Sequence, residues 1–274
     1  MDDEWLREVI LLAKKAGQDI LKYYALPNEA MHVAHKKDNT PVTAADLCAH
    51  EIIYRGLQTL TPQIPILSEE GNIPRWEVRR RWERYWLLDP LDGTRGFVER
   101  RDEFTVNIAL IERHRPMLGI VYAPVPKECY FAKQKCGVFK QVNDESPKRI
   151  HTKPMNWESF SVLLGQYLRS PRLPELFKSI AGCQVIRLNS SLKFCRIAEG
   201  EGDLYPRFGD TSEWDTAAAQ CILEVAGGGV VDLNGKALQY NAQASLVNPA
   251  FVVMGDLTQK TKLIELVEER RGTQ

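Results

Sequence analysis

The stretch Trp86-Leu-Leu-Asp-Pro-Leu-Asp-Gly-Thr-Arg-Gly-Phe97 constrains the fold more than any other part of the chain. Residues 85–88 form an apolar run of strand length, which predicts a short buried strand. It ends in two carboxylates, Asp89 and Asp92, separated by Pro90, whose fixed φ and missing N–H stiffen the turn. Gly93 and Thr94 then open a segment that reads as a helix start. Carboxylates at a strand end suit hard cations such as Mg²⁺, and N–H groups at a helix start suit anions. One reading is a metal site facing a phosphate. The other is a plain surface turn, since Asp, Pro and Gly all favour turns.

Other acids bear on that choice. Residues 64–68 form a second strand candidate that also ends in carboxylates, Glu69 and Glu70. Strand ends along one sheet edge are where α/β folds place ligands. Thr43-Ala-Ala-Asp46 is a capping-box pattern before an apolar-periodic run over 47–60, so capping alone accounts for Asp46. The same holds for Asp215, in the first turn of a helix predicted over 214–226. The functional reading makes Asp215 a ligand supplied across a domain interface. Glu69, Asp89, Asp92 and Asp215 are then the acids fit for a hard metal. With no thiolate or imidazole among them, the set favours Mg²⁺ or Mn²⁺ over Zn²⁺. So many negative charges cluster only with cations to offset them. Two or three divalent ions would clamp the attacking and leaving oxygens of a phosphoryl transfer. Gly93 and Thr94 would offer N–H groups to the phosphate, and the Thr94 hydroxyl with Asp46 would hold and deprotonate the attacking water. No Ser-His or Cys-His pattern, P-loop or G-x-G-x-x-G competes.

The rest of the chain gives these acids a scaffold. An amphipathic helix is predicted over 3–25 and a polar loop over 36–42. A helix over 75–84 would carry Arg79, Arg80 and Arg81 on a solvated face. Hairpins follow: residues 104–111 with 117–125, then 130–133 with 137–141. The polar segment 143–156 marks a domain boundary, dividing the chain into an N-terminal α+β unit (1–150) and a C-terminal α/β unit (151–274). In the second unit strands over 161–164, 184–188, 203–207, 230–232 and 251–254 alternate with helices over 172–181, 190–199, 214–226 and 259–270. The 274 residues hold 44% hydrophobic side chains, enough for a sizeable core. Basic and acidic residues balance at 36 each, which argues against a nucleic-acid polymer as partner. No apolar run is long enough to span a membrane. Six cysteines without a C-x-x-C pair fit a reducing compartment, with Cys48, Cys195 and Cys221 on core positions. The five histidines read as structural or surface residues.

Asp89-Pro-Leu-Asp-Gly-Thr94 together with Trp214-Asp215-Thr-Ala-Ala218 resembles the paired signatures of the inositol-monophosphatase-like superfamily. Thr40-Pro-Val-Thr-Ala-Ala-Asp46, the segments 104–111 and 119–124, Ser190-Ser-Leu-Lys-Phe-Cys195 and Leu204-Tyr-Pro-Arg-Phe-Gly209 are similar to one branch, the CysQ-type 3′(2′),5′-bisphosphate nucleotidases. The resemblance implies a layered αβαβα sandwich and a Mg²⁺-dependent, lithium-sensitive phosphatase. Its substrate would be 3′-phosphoadenosine 5′-phosphate, cleaved to AMP and phosphate; the alternative is an inositol or other small sugar phosphate handled by the same mechanism. It implies metal ligands at Glu69, Asp89, Asp92, Asp215 and the Leu91 carbonyl. Glu70 would hold water beside the metal, and Asp46 and Thr94 would activate the nucleophile. Substrate contacts would come from Gly93, Thr94, Ser191, Lys193, Arg207 and Asp215. Ser191 and Lys193 would meet the non-reacting phosphate, unless they are an ordinary helix-start serine and a solvated lysine. The expected setting is cytoplasmic, with peripheral contact at the inner membrane left open, as monomer or homodimer. Two stretches depart from the branch: Arg95-Gly96 replaces Lys-Glu, and Gly165-Gln-Tyr-Leu168 replaces Ser-Arg-Ser-His.

Overall fold

Strands in the first half alternate their side chains between two apolar environments, and that alternation builds the layers. The computed structural model describes residues 3–27, 34–35, 41–168 and 173–272. In chain order the first elements are α1 (Asp3–Tyr24), β1 (Ala34–His35), β2 (Pro41–Val42), α2 (Ala44–Leu60), β3 (Ile66–Ser68), α3 (Trp76–Arg79), β4 (Arg84–Asp92) and α4 (Thr94–Val98). They continue with β5 (Thr105–Glu112), β6 (Arg115–Ala123), β7 (Glu128–Lys133), β8 (Gly137–Val142) and β9 (Lys148–Arg149). The second half contributes β10 (Phe160–Leu164), α5 (Leu173–Lys178), β11 (Cys183–Arg187), α6 (Leu192–Ala198), β12 (Leu204–Arg207), α7 (Glu213–Ala226), β13 (Gly229–Asp232), β14 (Phe251–Met254) and α8 (Lys260–Gly272).

Strands β3 to β9 form a sheet in sequence order, antiparallel throughout except for the parallel β3–β4 pair. Strands β10 to β14 form a mixed sheet of order β11-β10-β12-β14-β13. Trp86 and Leu88 of β4 point to one side of the first sheet, where they meet Val9, Ala13 and Ile20 of α1 and Ala49 and Ile53 of α2. Tyr85 and Leu87 point to the other side, against Phe194 and Cys195 of α6 and Ala217, Ala218 and Ile222 of α7. Those two helices also cover the near face of the second sheet, through Leu163, Tyr205 and Val253. The far face carries Leu173 and Phe177 of α5 with Leu263 and Val267 of α8. The result is the expected αβαβα stack, with α6 and α7 as the shared middle layer.

Close packing of that middle layer requires small residues. A Cβ on Gly119 of β6 would fall 2.2 Å from the Ala218 carbonyl oxygen and 2.9 Å from the Cys221 Cβ. Glycine there, facing the Ala217-Ala-Ala219 run, lets α7 settle directly on the sheet.

Three expectations need correction. The helix over 75–84 shrinks to Trp76–Arg79, because β4 begins at Arg84. Arg79 is not solvated: it is 2% exposed and donates to Asn241 Oδ1 and to the Gln243 and Ala244 carbonyls. A guanidinium with three acceptors can stay charged in the interior. Cys48 is only half-buried, whereas Cys195 and Cys221 are buried as expected. Of the two readings of Lys193, the solvated one is excluded, since the side chain is buried. The loop over 36–42 lies largely outside the described residues, although Pro41–Val42 pairs with Ala34–His35. The start of the 172–181 helix also lies outside them. No helix among the described residues is long and apolar enough to cross a membrane.

Candidate active site

Parallel pairing places the first two acids. Ser68 of β3 aligns with Leu88 of β4, and the Glu69 N–H donates to the Leu88 carbonyl at 3.1 Å. Glu69 and Asp89 therefore leave neighbouring strand ends together. Asp89 and Asp92 should face opposite ways in a regular strand, being three residues apart. The register explains why they share a site. Asp89 pairs with Asn107 and Asp92 with Thr105, so β4 carries one extra residue between them. This bulge at Pro90-Leu91 re-aims the second carboxylate.

The middle layer supplies the third acid. Asp215 sits in the first turn of α7, where its Oδ2 accepts from the Ser212 N–H at 2.9 Å in a reciprocal capping box. Carboxylate oxygens of Glu69, Asp89 and Asp215 all lie within 4.8 Å of one another. Burial and the neighbouring charges of Glu69, Asp92 and Asp215 push the Asp89 carboxyl well above its ordinary range; burial and Asp92 do the same to Asp215. Acids in this position favour either protons or a cation. The donors are all hard oxygens, with no histidine or cysteine in the cluster, so the residues fit an alkaline-earth-type ion.

Asp92 lies beside this trio but is turned toward the second half. Its Oδ2 accepts from the Ser191 N–H at 2.6 Å and more distantly from Thr105 and Asn107 at 3.4 Å each. Burial raises its pKa, opposed chiefly by the ammonium of Lys193. The Lys193 ammonium donates to the Ser190 carbonyl at 2.6 Å, and burial lowers its pKa to about 8.

On the α2 side, Asp46 uses its two oxygens differently. Oδ2 accepts from the Thr43 N–H (2.7 Å) and hydroxyl (2.6 Å), completing the cap of α2. Oδ1 accepts from the Thr94 hydroxyl at 3.1 Å. The cap of α2 and the contact to Thr94 thus coexist on one side chain. Burial raises the Asp46 carboxyl to about 6, with the Thr43 bonds opposing it and the charge of Glu70 adding to it. The Thr94 hydroxyl is also 3.1 Å from the Leu91 carbonyl, so its single proton can serve only one of the two acceptors at a time. Gly93 precedes Thr94 at φ 94°, a left-handed conformation that glycine adopts without strain.

Asp92 and Asp215 open into a cavity of about 180 Å³. Asp92, Gly93, Ser191, Lys193, Arg207 and Asp215 line it, so these sequence candidates converge from both halves. The Ser191 hydroxyl is committed inward, donating to Asn107 Oδ1 at 2.8 Å and meeting the Thr105 hydroxyl at 2.8 Å. Arg207 donates to the Thr211 hydroxyl (2.7 Å) and the Asp210 carbonyl (2.8 Å).

With this geometry in place, comparison with known proteins gives a consistent result. The model of the inositol monophosphatase family matches residues 1–271. The chain belongs to that family. The 3′(2′),5′-bisphosphate nucleotidase CysQ of Salmonella typhimurium is 48% identical over 258 residues, covering 90% of this chain and 98% of the relative. Its Escherichia coli counterpart is 46% identical over 256 residues, with the same coverage of both chains. Among solved structures, CysQ from Bacteroides thetaiotaomicron, described as a bacterial member of the family, superposes with a TM-score of 0.79 at 36% identity, covering 91% of this chain and 96% of that one. An IMPase from Thermotoga maritima shares the fold, with a TM-score of 0.81 at 24% identity and coverage of 98% and 99%.

Sequence reasoning missed several residues in and around this cavity. Thr105 and Asn107 were read only as part of an apolar strand. They are buried, on one face of β5, and brace both Asp92 and Ser191. Two polar residues at i and i+2 in an otherwise apolar run were the available signal. Tyr205 and Asn189 also line the cavity, and no local pattern announced either.

Proposed function

We propose that this chain is a Mg²⁺-dependent 3′(2′),5′-bisphosphate nucleotidase that hydrolyses 3′-phosphoadenosine 5′-phosphate to AMP and phosphate. The observation that carries the reading is the convergence of Glu69, Asp89 and Asp215 from three chain segments, beside the Thr94–Asp46 pair. The high identity to CysQ relatives over nearly their whole length supports the choice of substrate.

In this mechanism Glu69, Asp89, Asp92, Asp215 and the Leu91 carbonyl would hold two or three ions. Once bound, Mg²⁺ supplies Lewis-acid stabilisation of the phosphoryl oxygens and a more acidic water. The Thr94 hydroxyl orients the attacking water and passes its proton toward Asp46 Oδ1, which faces it directly. Glu70 helps to hold water beside Asp46. The N–H groups of Gly93 and Thr94 receive the phosphate. Lys193 and Arg207 contact the remainder of the substrate from the second half. Ser191 contributes by fixing Asp92, its hydroxyl being spent on Asn107. We further propose a boundary between two units near residue 150, where the chain leaves the first sheet after β9 and enters the second at β10. A cytoplasmic monomer or homodimer is the setting we propose.

The deciding experiment is phosphate release from 3′-phosphoadenosine 5′-phosphate in Mg²⁺, with and without millimolar lithium, beside inositol 1-phosphate. Efficient, lithium-suppressed cleavage of the nucleotide is expected. Release from the inositol ester alone would keep the metal site and overturn the substrate.

A further inference from the structure

Asp215 meets Glu69 and Asp89 although it comes from the other half of the chain. Strand pairing sets those two, whereas α7 reaches the first sheet through small side chains, its Ala217-Ala-Ala219 run facing Gly119. A helix face without ridges interlocks poorly, so this packing alone restrains α7 weakly along its own axis. The first turn of α7 needs a further anchor.

The loop 241–248 supplies one. The Glu213 N–H donates to the Leu246 carbonyl at 2.8 Å, and the Asn248 N–H donates to the Thr211 carbonyl at 2.8 Å. Asn248 Nδ2 donates to the Ser212 carbonyl (2.9 Å) and to the Thr216 hydroxyl (3.0 Å). The Asn241 N–H donates to Glu213 Oε2 at 2.7 Å. Ser212 is the residue whose N–H holds the Asp215 carboxylate. The loop thus grips the chain before and after the cap that orients Asp215.

One side chain in turn holds the loop. Arg79 donates to Asn241 Oδ1, to the Gln243 carbonyl at 3.2 Å and to the Ala244 carbonyl, and Asn241 Nδ2 donates back to the Arg79 carbonyl at 2.7 Å. Asn241 takes a left-handed φ of 52°, a conformation asparagine adopts more readily than most residues. Arg79 lies on α3, between β3 and β4, the strands that bring Glu69 and Asp89 to the site. Its Nε is buried without a partner among the described residues. An unpartnered buried donor costs stability, and a buried charge is a weak stabilising device even when paired. Stability alone therefore accounts poorly for Arg79.

We infer that Arg79 is a positioning residue for Asp215: through the loop 241–248 it sets the first turn of α7 against the segment that carries Glu69 and Asp89. The inference deepens the metal-site reading of these three acids and rests on it. Arg79 touches neither ion nor substrate in this scheme; it acts on the backbone that aims one ligand.

Calorimetric titration with Mg²⁺ reads the effect without turnover. Arg79→Lys keeps the charge and loses the planar fork, and is expected to weaken Mg²⁺ binding about tenfold. Asn248→Ala releases Ser212 and Thr216 without disturbing a buried charge, and is expected to weaken it similarly, which keeps the test decisive if Arg79→Lys does not fold. Each change is repeated in an Asp215→Asn background, where both should lose most of their effect because the group they act through is gone. Leu263→Ala, in the far layer, is the control for general destabilisation: its Tm should fall while its Mg²⁺ affinity stays at the parent value. Parent-like affinity in Asn248→Ala, undiminished effects in the Asp215→Asn background, or equal weakening by Leu263→Ala overturns the role. In each of those cases the parent still binds Mg²⁺ and the inference fails alone. If the parent binds no Mg²⁺, the metal-site reading fails and the inference with it.

Discussion

The floor of the pocket and its outer wall are built on opposite principles. On the floor, Asp46 and Asp89 are buried and Asp92 is half-buried, and each carboxylate is fixed by bonds from its own segment or from the second half. On the wall, Arg95, Glu99 and Tyr167 are partly exposed and hold one another through an ion pair, a hydrogen bond and a ring contact. Exposed pairs of this kind contribute little to stability. The wall can therefore change at little cost to stability, whereas a change on the floor disturbs buried hydrogen bonds. In the mechanism proposed above, the reaction chemistry falls on the rigid part.

The comparison breaks most sharply at Asp92. Asp92→Asn removes charge from the floor and is expected to lower kcat by on the order of 10³, measured as phosphate release at saturating Mg²⁺. Near-parent activity with normal Mg²⁺ dependence would refute its place in the site. Asp46→Asn should cost about 10²- to 10⁴-fold, the usual range for a positioned acid–base group. With its carboxyl raised to about 6 by burial, Asp46 must lose its proton to act as acceptor. The parent rate should therefore rise with pH through about 6, and a profile flat across that region would argue against the role.

Floor chemistry also predicts how stability depends on pH. Asp89 and Asp215 lie well above the ordinary 3.8, Asp46 near 6 and Glu213 near 7, all through burial first. For acids raised by folding, the native state holds protons that the unfolded chain releases. Their stabilising effect is complete below the unfolded values and is lost as pH rises through the folded ones. In EDTA the Tm should fall as pH climbs from about 4 to above 7, and added Mg²⁺ should raise Tm more at pH 8 than at pH 5. A metal-free Tm that climbs over this window would contradict the picture. The smallest expected effect lies nearer the wall. Lys193→Ala should raise KM for a bisphosphate about tenfold, more than for a monophosphate, by removing charge remote from the reacting centre. Equal shifts for both would instead indicate that Lys193 acts mainly by balancing Asp92.

Much of the floor was legible from local pattern. Glu69 and Asp89 end apolar runs, and Asp46 and Asp215 sit three residues after Thr43 and Ser212 in capping boxes. Such signals are local because strands and helix caps are built from near neighbours. The wall was marked in the sequence only as two separate departures from the resemblance, and their meeting was not legible. Arg95 and Tyr167 are unremarkable surface types, and only folding brings α4 against the segment after β10. Arg79 failed for a related reason: a short arginine run beside acids has the pattern of a solvated helix, and the acceptors that bury it lie at Asn241, Gln243 and Ala244.

By itself the sequence determined which acids were available, the period-two strands that divide the side chains between layers, and the helices that cover them. These depend on backbone periodicity and on residues within a few positions of one another. Tertiary structure alone decided that the bulge at Pro90-Leu91 turns Asp92 to the same side as Asp89, which oxygen of Asp46 caps and which faces Thr94, and that Lys193 is buried beside Asp92. Those choices follow from register, burial and charge between segments distant in the chain, where the cost of an unpaired buried group selects the partner.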